Sequence, residues 1–216
     1  MSRHLKRYAA PASWTIDRKT TMWITKPASG PHSIATAMPL VQWMRKLGLG
    51  TTLREIRKIL LGTKVLVDGR RIKNPRFPVG LFDSISIPEG KVSAIISLDK
   101  KGRLTLESAN DTDKKPCRIQ SKTTVRGGKT QVHLSDGRTL RLEKAPYAVG
   151  DTLVIETPSN KISSHITLKE GTTVLLTGGG HVGKKGTVNK IEGQKIWCSG
   201  DGETVETRKE FAYPIP

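Results

Sequence analysis

The stretch LVQWMRKLGLGTTLREIRKILLGTKVLVDGRRI (40–72) changes hydrophobic period twice. In its first part Leu40, Val41, Trp43, Met44 and Leu47 share one helical face, behind Pro39 in the first turn and ahead of Gly48 and Gly50 as a stop. Thr52 and Glu55 then have the spacing of a capping box, in which hydroxyl and carboxylate satisfy backbone donors at a helix start. The helix that follows, LREIRKILLG (53–62), places Leu53, Ile56, Ile59 and Leu60 on one side and Arg54, Arg57 and Lys58 at i, i+3 and i+4 on another. Only Glu55 lies among these cations, so they read as a phosphate-contacting face rather than as a solvated, self-paired one. Val65 and Val67 with Asp68-Gly69 predict a hairpin, and Lys64, Arg70, Arg71 and Lys73 add cations around it.

Working outward, Asn74-Pro75 breaks the hairpin, and FDSISIP (82–88) alternates as a half-buried strand. Residues 38–100 therefore read as a small α+β module with a basic rim. Before it, residues 1–37 keep no period and carry prolines and glycine in KPASGPHS, so an extended arm that folds poorly alone is expected. Arg3, Lys6, Arg7, Arg18, Lys19 and Lys26 alternate there with Tyr8, Trp14 and Trp23. On RNA, the cations would meet phosphates and the aromatics could stack on bases; the other reading is that Trp14 and Trp23 anchor the arm to the folded body.

After residue 91 the pattern is strands and turns with no long helix: AIISL, GRLTLES, TQVHLSDGRTLRLE with a second Asp-Gly turn at 136–137, and DTLVIET. An antiparallel β domain is expected over 101–168, with loops at 110–116 and 157–161. Near the end, TGGGHVGKKGTV (177–188) has the order GxxxxGK from Gly178 to Lys184, but Lys185 stands where a P-loop needs Ser or Thr. TTVLLT (172–177) and TVNKIEGQKIWC (187–198) read as strands, whereas a P-loop opens a helix onto the phosphate. The glycines fit a tight loop in a small barrel instead, with His181, Lys184 and Lys185 as its polar contacts. GGKT (127–130) is weaker still, because position 123 is Thr.

The charge balance narrows the partners. The 216 residues carry 37 Lys and Arg against 19 acids, a net +18, and residues 1–80 hold 16 of those cations with 3 acids while 81–216 hold 21 with 16. That asymmetry is the footprint of a nucleic-acid binder gripping N-terminally. No apolar run is long enough to span a membrane, no long basic amphipathic helix is present, and the N-terminus lacks a secretory signal's apolar core. Cys117 and Cys198 lack CxxC or Cys/His spacing, so two reduced thiols in a cytosolic protein are expected rather than zinc. The five histidines are scattered, and no GxSxG or HExxH signature appears, so no catalytic residue and no metal ligand are assigned.

HLKRYAAPASW (4–14), KPASGPH (26–32), VDGRRIKNPRFPVGLFDSISI (67–87), DKKGRL (99–104), DGRTLRL (136–142) and GGGHVGKKGTV (178–188), in this order, resemble the archaeal and eukaryotic small-ribosomal-subunit protein family S-four-e over nearly the whole chain. The resemblance implies a structural RNA-binding protein of the small subunit, cytoplasmic within the ribosome. Its fold would be multi-module α+β: a basic extension (1–37), an S-four-type helix-pair and hairpin module (38–100), a central antiparallel β domain (101–168) and a small SH3-like KOW β-barrel (169–216). The KOW motif would fall on Gly180, Gly183, Gly186 and Val188. The implied partners are small-subunit ribosomal RNA and neighbouring ribosomal proteins, with no cofactor, small-molecule substrate, membrane or homo-oligomer. The expected RNA contacts are Arg3, Lys6, Arg7, Arg18, Lys19, Arg45, Arg54, Arg57, Lys58, Lys64, Arg70, Arg71, Lys73, His181, Lys184 and Lys185. The ending FAYPIP fits an archaeal-length form. Two other classes stay open: a ribosome-associated factor that docks through the barrel, and an RNA-modifying enzyme, since S-four-type modules also precede pseudouridine synthase domains.

Overall fold

The computed structural model describes residues 4–109, 113–143, 145–200 and 203–216; Arg3 lies outside the described residues. The fold is α+β, with two α-helices and mostly antiparallel sheets among the described residues, in two compact units: Met1–Ser97 with Arg103–Asp113, and Leu98–Gly102 with Lys114–Pro216.

In the first unit β1 (Leu5–Lys6) pairs with β2 (Trp23–Ile24), and β3 (Ala37–Pro39) leads directly into α1 (Leu40–Lys46). Leu40, Val41, Trp43 and Met44 have no exposed surface, so burial rather than propensity holds this seven-residue helix. Pro39 offers no side-chain cap. The amides of Leu40 and Val41 instead donate to the carbonyls of Phe77 (2.8 Å) and Pro75 (3.0 Å), which satisfies donors that a helix start leaves open. At the other end Gly48, at φ 72°, lets the Leu49 amide reach back to the Met44 carbonyl (3.1 Å) and stops the helix where the glycine pair predicts.

The capping box of α2 (Leu53–Gly62) is formed: Glu55 N donates to Thr52 Oγ1 (3.2 Å) and Thr52 N to Glu55 Oε2 (3.2 Å). Of its apolar residues only Ile56 and Leu60 are fully buried; Leu53 and Ile59 are half-buried and Leu61 is exposed. β4 (Leu66–Val67) and β5 (Arg70–Arg71) follow as the expected hairpin, with positive φ at both Asp68 (49°) and Gly69 (72°), the signature of a two-residue I′ turn. β6 (Pro78–Gly80) pairs with β3, and β7 (Ser84–Ile87), β8 (Val92–Leu98) and β9 (Leu104–Ser108) complete a five-stranded sheet in the order β5-β4-β7-β8-β9. Ile85 and Ile87 face its core, as their alternation predicts.

The arm is pinned despite its few regular elements. Trp14 is 2% exposed and its Nε1 donates to the Ala37 carbonyl (2.9 Å), whereas Trp23 remains 52% exposed. Leu104 holds the neighbouring chain from both sides, its amide donating to the Ser13 carbonyl (2.8 Å) and its carbonyl accepting from Thr15 Oγ1 (2.7 Å).

The second unit contains two five-stranded antiparallel sheets. β10 (Lys114–Thr124), β11 (Thr130–Leu134), β12 (Thr139–Leu142), β13 (Thr152–Glu156) and β14 (Ile162–Ile166) lie in the order β12-β11-β10-β13-β14 over Cys117, Ile119, Val132, Leu134, Leu153 and Ile155. The Asp136-Gly137 turn joins β11 to β12 with positive φ at Gly137 alone (75°), so it differs from the turn at Asp68-Gly69. β15 (Thr173–Leu176), β16 (Lys185–Glu192), β17 (Lys195–Gly200), β18 (Glu203–Arg208) and β19 (Ala212–Pro214) follow in the order β18-β17-β16-β15-β19, around Val174, Leu176, Val188, Ile196, Cys198, Val205 and Ala212. Both cysteines are buried and free, one in each core.

Candidate nucleic-acid interface

The face of α2 opposite Ile56 and Leu60 carries Arg54, Arg57 and Lys58, all exposed. Their one acidic neighbour on the helix is otherwise engaged. Glu55 Oε2 accepts from the amides of Thr51 (3.0 Å) and Thr52 (3.2 Å), and these donors hold its carboxyl below the usual glutamate range. No side-chain hydrogen bond or ion pair joins Arg54, Arg57 or Lys58 to another described residue. The same holds for the exposed Lys64, Arg70 and Lys73, whereas Arg71 Nη2 donates to the Leu61 carbonyl (3.0 Å) and ties the hairpin to the end of α2.

Cations of the arm behave differently. The Arg7 guanidinium donates to the Asp17 carbonyl and to Thr21 Oγ1 (2.9 Å), and Arg18 donates to the carbonyls of Tyr8 (3.0 Å) and Pro11 (3.1 Å). Both thus brace the arm's own backbone. Lys6 stands 5.7 Å from the centre of the exposed Tyr8 ring, and Lys19 is exposed. Arg45 is half-buried near the end of α1. Beside it Lys46 lies 5.0 Å from the Trp43 ring centre and 3.4 Å from the Leu104 carbonyl, and partial removal from water lowers its pKa from the ordinary lysine value. Lys46 and Arg103 are cations the sequence reading did not single out. The basic pair closing α1 was a usable signal for Lys46; Arg103 gave none.

The glycine loop connects β15 to β16, so the phosphate-cradle geometry of a strand opening a helix is absent from it. Gly183 has φ 84° and its amide donates to the Leu176 carbonyl (2.7 Å), closing the loop on itself. A Cβ at Gly183 would overlap the Asp99 carbonyl oxygen, which explains the glycine by close backbone approach. His181 and Lys184 are half-buried and Lys185 is exposed.

The second unit also holds an internal charge network. Asp136, 3% exposed, accepts from Arg138 Nε (2.9 Å) and lies 3.4 Å from Lys115 Nζ. The Cys117 thiol also points at it (3.5 Å); burial first, then this carboxylate, pushes the thiol up, away from reactivity. Lys190 pairs with Glu192 and Lys195 with Glu206 (2.7 Å) on the surface. Among the described residues no cluster of His, Cys, Asp or Glu suits a metal ion, and no helix is long and apolar enough to cross a membrane.

A basic helix face thus stands beside a basic hairpin, an arrangement suited to a nucleic-acid backbone. Comparison agrees: residues 1–35 match the RS4NT (NUC023) domain, residues 38–85 the S4 domain and residues 95–162 the Ribosomal family S4e. The small ribosomal subunit protein eS4 of Methanococcus aeolicus is 35% identical over 228 aligned positions, covering 99% of this chain and 93% of the relative. That of Methanosphaera stadtmanae is 42% identical over 206, covering 94% and 84%. The crystal structure of the 30S ribosomal protein S4e from Thermoplasma acidophilum matches with a TM-score of 0.70 at 28% identity, over 83% of this chain and 94% of that one. The chain belongs to the ribosomal protein family S4e.

Proposed function

We infer that the chain is a structural constituent of the small ribosomal subunit that scaffolds ribosomal RNA for translation. The observation that carries the RNA contact is the exposed, unneutralised cluster Arg54, Arg57 and Lys58 on α2, extended by Lys64, Arg70, Arg71 and Lys73 around the hairpin. Cations without internal partners release counterions when they meet phosphates, and affinity then follows salt. Arg3, Lys6, Arg7, Arg18, Lys19, Arg45, His181, Lys184 and Lys185 add further contacts in this reading.

The working division is a basic extension (1–37), an S4 module (38–100), a central β domain (101–168) and a KOW-type small barrel (169–216). The order β18-β17-β16-β15-β19 around one apolar core, and a glycine loop over Gly180, Gly183 and Gly186 leading to the buried Val188, support the last assignment. Neighbouring ribosomal proteins are the further partners, the cytoplasmic ribosome is the location, and the role is non-enzymatic.

Sedimentation of a cell lysate at moderate and high salt tests the assignment. Near-unit stoichiometry with small-subunit RNA surviving high salt is expected; sparse occupancy, or release at moderate salt, would replace it with a dissociable factor.

A further inference from the structure

Two adjoining clefts of the first unit share Arg7 and Arg45 as lining residues. One, of about 670 Å³, is bordered by Met22 and Trp23, whose large apolar side chains are 68% and 52% exposed. The other, of about 370 Å³, is bordered by Gln42, Lys46 and Arg103, with Asp17 as its one acid. Both volumes lie in the range of small-ligand sites, about 300–1,000 Å³. Their linings differ: one exposed indole beside apolar and threonine side chains in the first, four cations against a single carboxylate in the second.

The second cleft holds an independent sign of a ligand. Gln42 is 6% exposed, and its Nε2 has no hydrogen-bond partner; Arg45 Nε is buried and equally unpartnered. Buried donors without acceptors are rare in folded proteins and call for an explanation. An acceptor-rich anion supplies one. The end of α1 would by itself repel an anion, since carbonyls dominate a helix C-terminus, but Arg45, Lys46, Arg103 and Arg7 outweigh it. Arg7 keeps unengaged N–H groups after bonding Asp17 and Thr21.

We propose that the paired clefts bind one unpaired nucleotide of an RNA strand, its base stacked on Trp23 beside Met22 and its backbone phosphate among Arg45, Lys46 and Arg103 with Gln42 at the back. A duplex cannot present a base face in this way, because its bases are stacked on one another. The site is separate from the α2 face, although it rests on the same RNA-binding reading.

The test uses the full chain, a single-stranded hexa-adenylate, a blunt duplex RNA and free adenosine monophosphate. The hexamer should quench tryptophan fluorescence in the wild type and not in W23F, which identifies the stacked residue among the four tryptophans. W23A should weaken hexamer binding about tenfold, within the range for loss of one base–aromatic stack. R103Q, at an exposed position and so without a folding penalty, should lower the salt slope by about 0.7. Unchanged fluorescence when fluorescence anisotropy shows the hexamer fully bound overturns the proposal. Equal quenching by the duplex overturns the unpaired occupant, and equally tight quenching by the monophosphate overturns the strand in favour of a free-nucleotide site. Charge reversal of Arg54, Arg57 and Lys58 separates the two readings. If duplex binding survives that reversal, the α2 face fails, while the hexamer quench still decides the clefts.

Discussion

The cations of α2 and four of the second unit, Lys115, Arg138, Lys190 and Lys195, are the same chemical groups put to opposite uses. Arg54, Arg57 and Lys58 stand exposed with no carboxylate turned toward them, because Glu55 is committed to the helix start. Lys115 and Arg138 converge on the buried Asp136, Lys190 meets Glu192 along its own strand and Lys195 meets Glu206 on the neighbouring one. A cation already paired inside the protein offers a phosphate little, since the incoming anion must displace a carboxylate. Net charge therefore overstates what those four positions present and describes the α2 face more faithfully.

The comparison breaks most visibly under charge reversal. R54E/R57E/K58E should lower the slope of log affinity against log salt by about 2.7 for duplex RNA, equivalent to a several-hundredfold loss near 0.1 M salt. The double reversal K190E/K195E should change affinity by less than about threefold, because both cations already face glutamates. Equal losses from the two variants, measured by filter binding across a salt series, would dissolve the distinction. In the opposite direction, D136A should leave RNA affinity nearly unchanged but cost about 3 kcal/mol of stability, the usual effect of breaking a buried ion pair, read by denaturant unfolding. T52A should remove half of the capping box and cost about 1 kcal/mol while leaving RNA affinity nearly unchanged, because the amides of residues 51 and 52 still hold the Glu55 carboxylate.

The smallest effect expected is one of pH. Burial alone would raise the Asp151 carboxyl, but amide donors from Leu168 and Ala148 and the His165 ring (2.8 Å) overcome it and hold the pKa below the ordinary aspartate value. Its ionised form is therefore favoured by folding. That contribution is complete above the ordinary aspartate range and disappears as pH falls through the lower folded value. Glu55 behaves in the same sense in the first unit. Unfolding midpoints should fall as the solution is acidified from pH 5 toward 3, and D151N should flatten this dependence.

What the sequence made legible follows from how local each signal is. The capping box, the glycine stop after α1 and the Asp68-Gly69 turn each depend on a few consecutive residues, and all three formed. The α2 cations were readable because helical spacing alone puts them together. The cleft beside α1 was not readable, because Arg103 joins Gln42 and Arg45 only through the folding of a segment some sixty positions downstream. Trp14 and Trp23 divided between two roles for the same reason: the carbonyls near residue 37 that capture Trp14 cannot be seen from the composition of the arm. The Asp136 network depended likewise on strand pairing, which places Lys115 and Arg138 beside a turn carboxylate.

The clasp that Leu104 makes on Ser13 and Thr15 has a meaning in time as well as in space. During synthesis the arm leaves the ribosome first, yet the strand that fastens it is made about ninety residues later, a delay of roughly 5 to 20 s at common elongation rates. Throughout that interval the arm holds only the contacts it makes with residues already synthesised, such as Trp14 with Ala37, and completion of β9 adds a second fastening to the body. Nascent chains arrested before residue 104 should lose the arm to proteolysis faster than chains arrested well beyond it.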